Sequence, residues 1–250
     1  MIRLSSLAAV ARRSSRPCRK ASRPGLNYTT LRDAILKKTK ASPVGDKQVI
    51  SLLEKYACPV AYHEVRTRFL GNIATPLMSV SPLQIVKALW GGELPEFDSM
   101  DDVNDLIGIL VNGLWNDLTR HQKRSEPFRL LRTTIQLTQA GISGYARMRR
   151  EELDGFVEGL FNGEEQLDLP EKAIAAIDAL AELRAIMAGI ERMPIDSNHP
   201  AKPSDILVTI KHLQELTLII EREIHSVVFE CTRARRQAIQ AMPSPTPRRA

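Results

Sequence analysis

The longest uninterrupted helical pattern in this chain runs from Ser204 to Gln240 and contains neither proline nor glycine. Within it, apolar residues and one threonine recur at alternating spacings of four and three. The members of this seam are Ile206, Ile210, Leu213, Thr217, Ile220, Ile224, Val227, Cys231, Ala234 and Ala238. Such a heptad repeat predicts a helix of roughly 55 Å whose apolar stripe must pack against another helix.

A second helical pattern, at 171–193, offers a partner for that seam. Pro170 precedes it, and its apolar positions again alternate by three and four: Ala173, Ala176, Leu180, Leu183, Met187 and Ile190. The connection from Pro194 to Pro203 is short enough to fold the two helices antiparallel. We therefore predict a long hairpin of 171–193 and 204–240. An intermolecular coiled coil, with a homodimer through the 204–240 helix, is the open alternative.

Helix caps and breakers divide the rest of the chain into further helices. The pattern predicts them at Thr29 or Thr30 to Lys40, Lys47–Ala57, Ala61–Ala74, 82–90, 100–121 and Tyr145–Phe161. No stretch alternates apolar and polar residues as a half-buried strand does. The fold class predicted is therefore all-α, with a multi-helix N-terminal domain and a long antiparallel helical hairpin.

These patterns also predict the domain boundaries. The expected organisation is a disordered basic segment at 1–27, a helical domain at 28–124, a hinge or irregular segment at 125–145, a helical domain with the hairpin at 146–241, and a disordered tail at 242–250. Pro127 and the irregular stretch after it motivate the hinge.

The net charge of +6 comes from the two ends of the chain. Residues 1–32 contain eight basic residues and no acid, and 232–250 contain five and no acid. Between 33 and 231, acidic residues outnumber basic ones by seven. An arginine- and serine-rich, acid-free start is typical of a mitochondrial transit peptide, and the alternative is an upstream extension of a bacterial protein.

Cysteine usage and hydropathy bear on the compartment. The three cysteines are widely separated, which fits neither a disulfide framework nor a zinc-ligand spacing. No apolar run approaches the ~20 residues that span a bilayer. We expect a cytoplasmic protein, with the mitochondrial matrix as the alternative.

The sequence contains no common catalytic or nucleotide-binding motif, so we predict no enzyme, no metal and no cofactor. The acids Asp98, Asp101, Asp102 and Asp105 suit the positive end of a helix dipole better than a cation site. Two further groups could bind a ligand but are more simply solvated or core residues. They are the cluster of His212, Glu215, Glu221 and His225 on the long helix, and Cys58 with His63.

One basic run is the best candidate for contacting phosphate or an acidic partner. It surrounds Phe128 and consists of Arg120, Lys123, Arg124, Arg129 and Arg132, with a smaller cluster at Arg147, Arg149 and Arg150. Basic side chains around an aromatic residue suit nucleic acid, but Asp117 and Glu126 dilute the charge, so a solvated face is the competing interpretation.

The stretch from Trp90 to Asn116 resembles the YecA/YgfB-like family of bacterial helical proteins. The resemblance is carried by Trp90, Gly91, Gly92, Glu93, Pro95, Phe97 and Asn116. A second match, Glu152–Phe156, follows this motif here but precedes it in the family, and the family's cysteine-rich zinc segment is absent from this sequence. The resemblance implies an all-helical, non-catalytic protein, which in some relatives is regulatory through protein contacts.

These observations favour an adaptor or regulatory protein that works by binding another protein, because long apolar seams are present without a convergent polar site. The alternative is a nucleic-acid-binding regulatory protein that uses the basic termini and the 120–132 run.

Overall fold

The computed structural model of the chain describes residues 2–3, 45–77, 81–193 and 202–241. The fold is all-α, which confirms the predicted class. The helix expected to end at Lys40, the tail at 242–250 and all of the 1–27 segment except Ile2–Arg3 lie outside the described residues.

The described residues form eight α-helices, a π-helix and a 3-10 turn in chain order. Their bounds are α1 Asp46–Lys55, α2 Tyr62–Ala74, α3 Pro82–Ala88, α4 Met100–Ile107, a π-helix Gly108–Trp115, α5 Asn116–Leu118, a 3-10 turn Thr119–Gln122, α6 Gln139–Phe161, α7 Glu171–Glu191 and α8 Pro203–Ala241. The one described sheet pairs two short strands, β1 Ile2–Arg3 and β2 Gln166–Leu167.

The hairpin of α7 and α8 is present as predicted. Every seam position from Ile210 to Cys231 is buried, and α8 packs against α7 and also against α2 and α6. Ala238, the last seam position, is exposed. The seam is therefore buried within a single chain, because α2, α6 and α7 of the same chain pack against it.

Helices α2 and α6 cross closely because glycine lets their backbones touch. A β-carbon built on Gly71 would lie 2.1 Å from the backbone oxygen of Phe156, and one on Gly159 would lie 1.9 Å from that of Arg68. Neither position can therefore carry a larger residue without movement of the backbone. The crossing joins the two predicted helical domains, so that one core of buried residues extends through both.

The region predicted as one helix over 100–121 changes its winding along its length. Ser99 caps it, with its hydroxyl accepting from the Asp102 amide at 3.2 Å. The buried positions Leu106, Leu110, Leu114 and Leu118 are spaced by four, which would drift around a regular α-helix. The π-helical turns contain more residues per turn, so these leucines stay on the buried face.

Residues 123–138 form an irregular segment that we call the strap. It coincides with most of the predicted hinge, but helix α6 begins at Gln139, inside the 125–145 range. Thr138 accounts for the early start, because its side-chain oxygen accepts from the Gly141 amide at 3.0 Å.

The pairing of β1 with β2 is antiparallel, with Ile2 opposite Leu167 and Arg3 opposite Gln166. Residues 2–3 belong to the segment for which disorder was predicted, and this contact differs from that expectation. Composition predicts whether a segment folds in isolation. It does not predict whether a strand edge elsewhere in the chain supplies backbone hydrogen-bond partners.

Candidate interaction site

The predicted basic run begins at the 3-10 turn and continues along the strap. Its first members make ion pairs within the chain: Arg120 with Asp117 at 3.0 Å and Lys123 with Glu126 at 3.2 Å. Both pairs lie on the surface, where such contacts contribute little stability. The neighbouring Arg124 is exposed and has no partner among the described residues.

The last two members, Arg129 and Arg132, share a buried carboxylate on α8. The Glu221 side chain is only 1% exposed and accepts from Arg129 Nη1 at 2.7 Å. Arg132 Nη2 lies 3.1 Å from its other oxygen, and the backbone amide of Leu130 donates to it at 3.0 Å. A buried carboxylate with several donors is stable where an unpaired one is not, so Glu221 fixes the strap to α8.

An aromatic contact at Phe128, the residue before Arg129, also anchors the strap. Phe128 is fully buried, with the ring of His121 edge-on at 5.2 Å and the guanidinium of Arg66 at 5.1 Å from its centroid. His121 Nδ1 also lies 2.8 Å from the Glu126 carbonyl oxygen. Burial lowers the pKa of His121, which favours the neutral ring that packs on Phe128.

A buried ion pair on α6 holds the backbone of Leu131. Arg149 and Glu152 pair with each other while both are 1% exposed, and Arg149 donates to the Leu131 carbonyl oxygen. The Arg149 guanidinium also lies 4.7 Å from the centre of the Tyr145 ring. Burial raises the pKa of Glu152 to about 7, against the opposing effect of Arg149.

The structure therefore brings the predicted basic run into contact with the core. Arg129 and Arg132 are bound by Glu221, which the sequence grouped instead with His212, Glu215 and His225. Arg149, from the smaller basic cluster, is buried and binds the strap backbone. Within the described residues, no group of histidine, cysteine, aspartate and glutamate side chains could hold a metal ion.

Three of the remaining sequence candidates contact residues outside their predicted groups. Asp102 accepts from Lys55 Nζ at 2.6 Å and from the Tyr56 hydroxyl at 3.1 Å, and its pKa is lowered to about 2 chiefly by the Lys55 and Ser99 hydrogen bonds. His63 pairs with Glu151 at 2.9 Å, not with Cys58. The Cys58 thiol contacts the Leu89 carbonyl oxygen, and burial raises its pKa.

The residues that resemble the YecA/YgfB-like family build a helix exit. Gly91 and Gly92 adopt φ values of 78° and 108°, which favour glycine. The Trp90 indole donates to the Tyr56 carbonyl oxygen at 2.9 Å, and the Phe97 ring meets the Tyr56 ring edge-on at 5.3 Å. These contacts fasten the turn after α3 to the end of α1.

Sequence reasoning missed a stripe of exposed residues on α8 that contains two leucines. Leu207 is 55% exposed and Leu218 is 50% exposed, and eleven residues of α-helix place them on the same side. Lys211 and Gln214, also exposed, lie between them at spacings of four and three. The sequence contains this stripe at heptad-like spacing. It was missed because the longer apolar seam beside it accounts for the helical pattern without it. We call residues 207, 211, 214 and 218 the outer stripe.

Comparison of the chain with protein-family models, curated proteins and solved structures finds no match. Among the described residues, no helix combines the length and hydropathy that a membrane crossing requires.

Proposed function

We propose that this chain is a non-catalytic helical protein that binds another protein, as an adaptor or regulator, through the outer stripe of α8. The observation that carries the proposal is the exposure of Leu207 and Leu218 on a helix whose apolar seam is already buried within the chain. Exposed leucines at heptad-like positions are suited to the apolar face of a partner helix.

The charges of the predicted basic run support this choice over nucleic-acid binding. Arg120, Lys123, Arg129 and Arg132 already have carboxylate partners within the chain. Phosphate binding would have to compete with these acids, which lowers the gain from each contact. The exposed Arg124 is the member that favours the nucleic-acid alternative.

A homodimer is one form that the proposed interaction takes. Because the main seam of α8 is buried within the chain, a second copy would use the outer stripe, and the same two leucines would face each other. The cytoplasm is the compartment that we propose, since unpaired, widely spaced cysteines suit a reducing environment.

The experiment compares the double variant Leu207→Lys and Leu218→Lys with the control Gln214→Lys, which adds charge to the same face without removing an apolar side chain. Light scattering of the full chain reports self-association. Photo-crosslinking from position 211 in cells identifies other partners, and binding is then measured with each purified partner.

We expect the double variant to weaken the complex at least tenfold, because two exposed leucines lose their apolar contacts. The control variant should retain it. A monomeric chain whose purified partner binds both variants equally would contradict the proposal, as would turnover of a small molecule without any partner.

A further inference from the structure

The segment 163–171 connects α6 to the first residue of α7 and contains the short strand β2. Its exposure alternates: Gln166 and Asp168 are exposed, whereas Leu167 and Leu169 are buried. This is the pattern of a strand with one face on the core. The edge of such a strand offers backbone donors and acceptors to another extended chain.

The same segment has a strong negative charge. Its acids are Glu164, Glu165, Asp168 and Glu171, and all four are exposed without a partner among the described side chains. No basic residue interrupts them. Because the carboxylates are close in sequence, their fields add at this edge and attract a cationic segment.

The chain itself supplies an occupant. Residues Ile2–Arg3 pair antiparallel with Gln166–Leu167, and this is the backbone pairing that the structure gives to that edge. They begin a segment, residues 1–32, that has eight basic residues and no acid. A paired backbone and opposite charges therefore point independently to the same contact.

We propose that the edge at 163–171 is a docking site for the chain's own basic N-terminal segment. The segment adds a strand through backbone hydrogen bonds, and the four carboxylates retain it by charge. Docking holds the arginines of 1–32 against the protein's own acids, which therefore compete with phosphate polyanions for them.

A second acidic surface among the described residues does not combine both features. Glu93, Glu96 and Asp98 are also exposed and lack described partners, but they have no paired strand beside them. This surface provides a matched control, because the same charge can be removed there without touching a strand edge.

Disulfide trapping in the full chain tests the position of the segment. The variant Arg3→Cys with Gln166→Cys joins two directly opposed residues, whose β-carbons lie about 5 Å apart in such pairs, near the range that a disulfide bridges. Cys18 and Cys58 are replaced by serine, and Cys231 is retained because it is buried. The control is Arg3→Cys with Glu93→Cys. We expect faster trapping at 166, and equal trapping at both positions would overturn the proposal.

Charge removal tests what retains the segment. In the Arg3→Cys, Gln166→Cys background, Glu164→Gln, Glu165→Gln and Asp168→Asn together should slow trapping several-fold. Raising the salt should do the same, because the screening length falls from about 10 Å at 0.1 M to about 3 Å at 1 M.

The matched set Glu93→Gln, Glu96→Gln and Asp98→Asn should leave the rate unchanged. Equal slowing by both sets, or no slowing by either, would overturn the role of the four carboxylates. The outer-stripe variants of α8 should trap normally, so a failure of the proposed function remains distinguishable from a failure of this docking.

Discussion

The hairpin and the strap are both fixed to the same core, but opposite chemistry holds them. The α7–α8 hairpin is packed by repeating apolar side chains, so that many small contacts share its stabilisation. The strap has no regular structure and depends on three buried ionisable side chains, Arg149, Glu152 and Glu221. Losing one contact should therefore cost more in the strap than in the hairpin, because a buried charge left without its partner is heavily penalised.

The largest effect is expected when the buried ion pair of the strap is broken. At about pH 8, where Glu152 is ionised, Arg149→Met should lower the free energy of unfolding by about 3–5 kcal/mol, because the Glu152 carboxylate is left buried without its cation. Urea denaturation measures the loss. Arg147→Met is the matched control on the same helix, since Arg147 is exposed in its pair with Glu191 and should cost less than about 1 kcal/mol.

Removing both partners sharpens this test. The double variant Arg149→Met with Glu152→Met should be more stable than Arg149→Met alone, because no buried charge remains. If the double variant lost as much free energy of unfolding as the two single variants added together, the broken ion pair would not be the cause of the loss in Arg149→Met.

The hairpin should respond less to a single change in its seam. Ile220→Ala should cost about 2–4 kcal/mol, since the fully buried side chain leaves a cavity between packed helices. Ile239→Ala makes the same chemical change on the exposed end of α8 and should be close to neutral. Equal losses at both positions in thermal or urea unfolding would contradict the buried seam.

The pH dependence of stability should reveal Glu152. Burial raises its pKa from 4.5 to about 7, so between these values the native chain keeps a proton that the unfolded chain releases. The resulting stabilisation is complete below pH 4.5 and is lost as the pH rises through 7, at up to about 1.4 kcal/mol per pH unit. Denaturation curves from pH 4.5 to 8 measure this slope. Glu152→Gln should be flatter over the same range, and an unchanged slope would assign it to another group.

The smallest effect is expected at the exposed start of the basic run. Arg120→Gln removes a surface ion pair with Asp117 and should change the free energy of unfolding by about 0–1 kcal/mol. If Arg120→Gln lost as much free energy of unfolding as Arg149→Met, solvent exposure would not explain the difference between surface and buried ion pairs.

Much of the helical structure could be predicted from local sequence. The heptad spacing located α8, and Ser99 and Gly91 marked where helices begin and end. In the region predicted as a helix over 100–121, the apolar side chains from Val103 to Leu118 stay on one buried face despite the π-helical winding. Periodicity reports such features well since they depend on residues a few positions apart.

The candidate site was less predictable, because its contacts join residues distant in sequence. Arg129 and Arg132 were identified as a basic run, but their partner Glu221 lies about ninety residues away. The importance of Arg149 depends on the Leu131 carbonyl oxygen, and a backbone atom leaves no signature in a side-chain pattern. The exposed leucines of the outer stripe could be identified only after the main seam had been placed.

The sequence by itself determined that the chain forms helices and which stripe of α8 enters the core, since both follow from local spacing and the cost of exposing apolar surface. Only the tertiary structure decided that α2 and α6 touch through Gly71 and Gly159, and that an irregular strap lies across α8. These features arise where distant backbone and charged groups must satisfy one another away from water, and that requirement appears only once the helices are packed together.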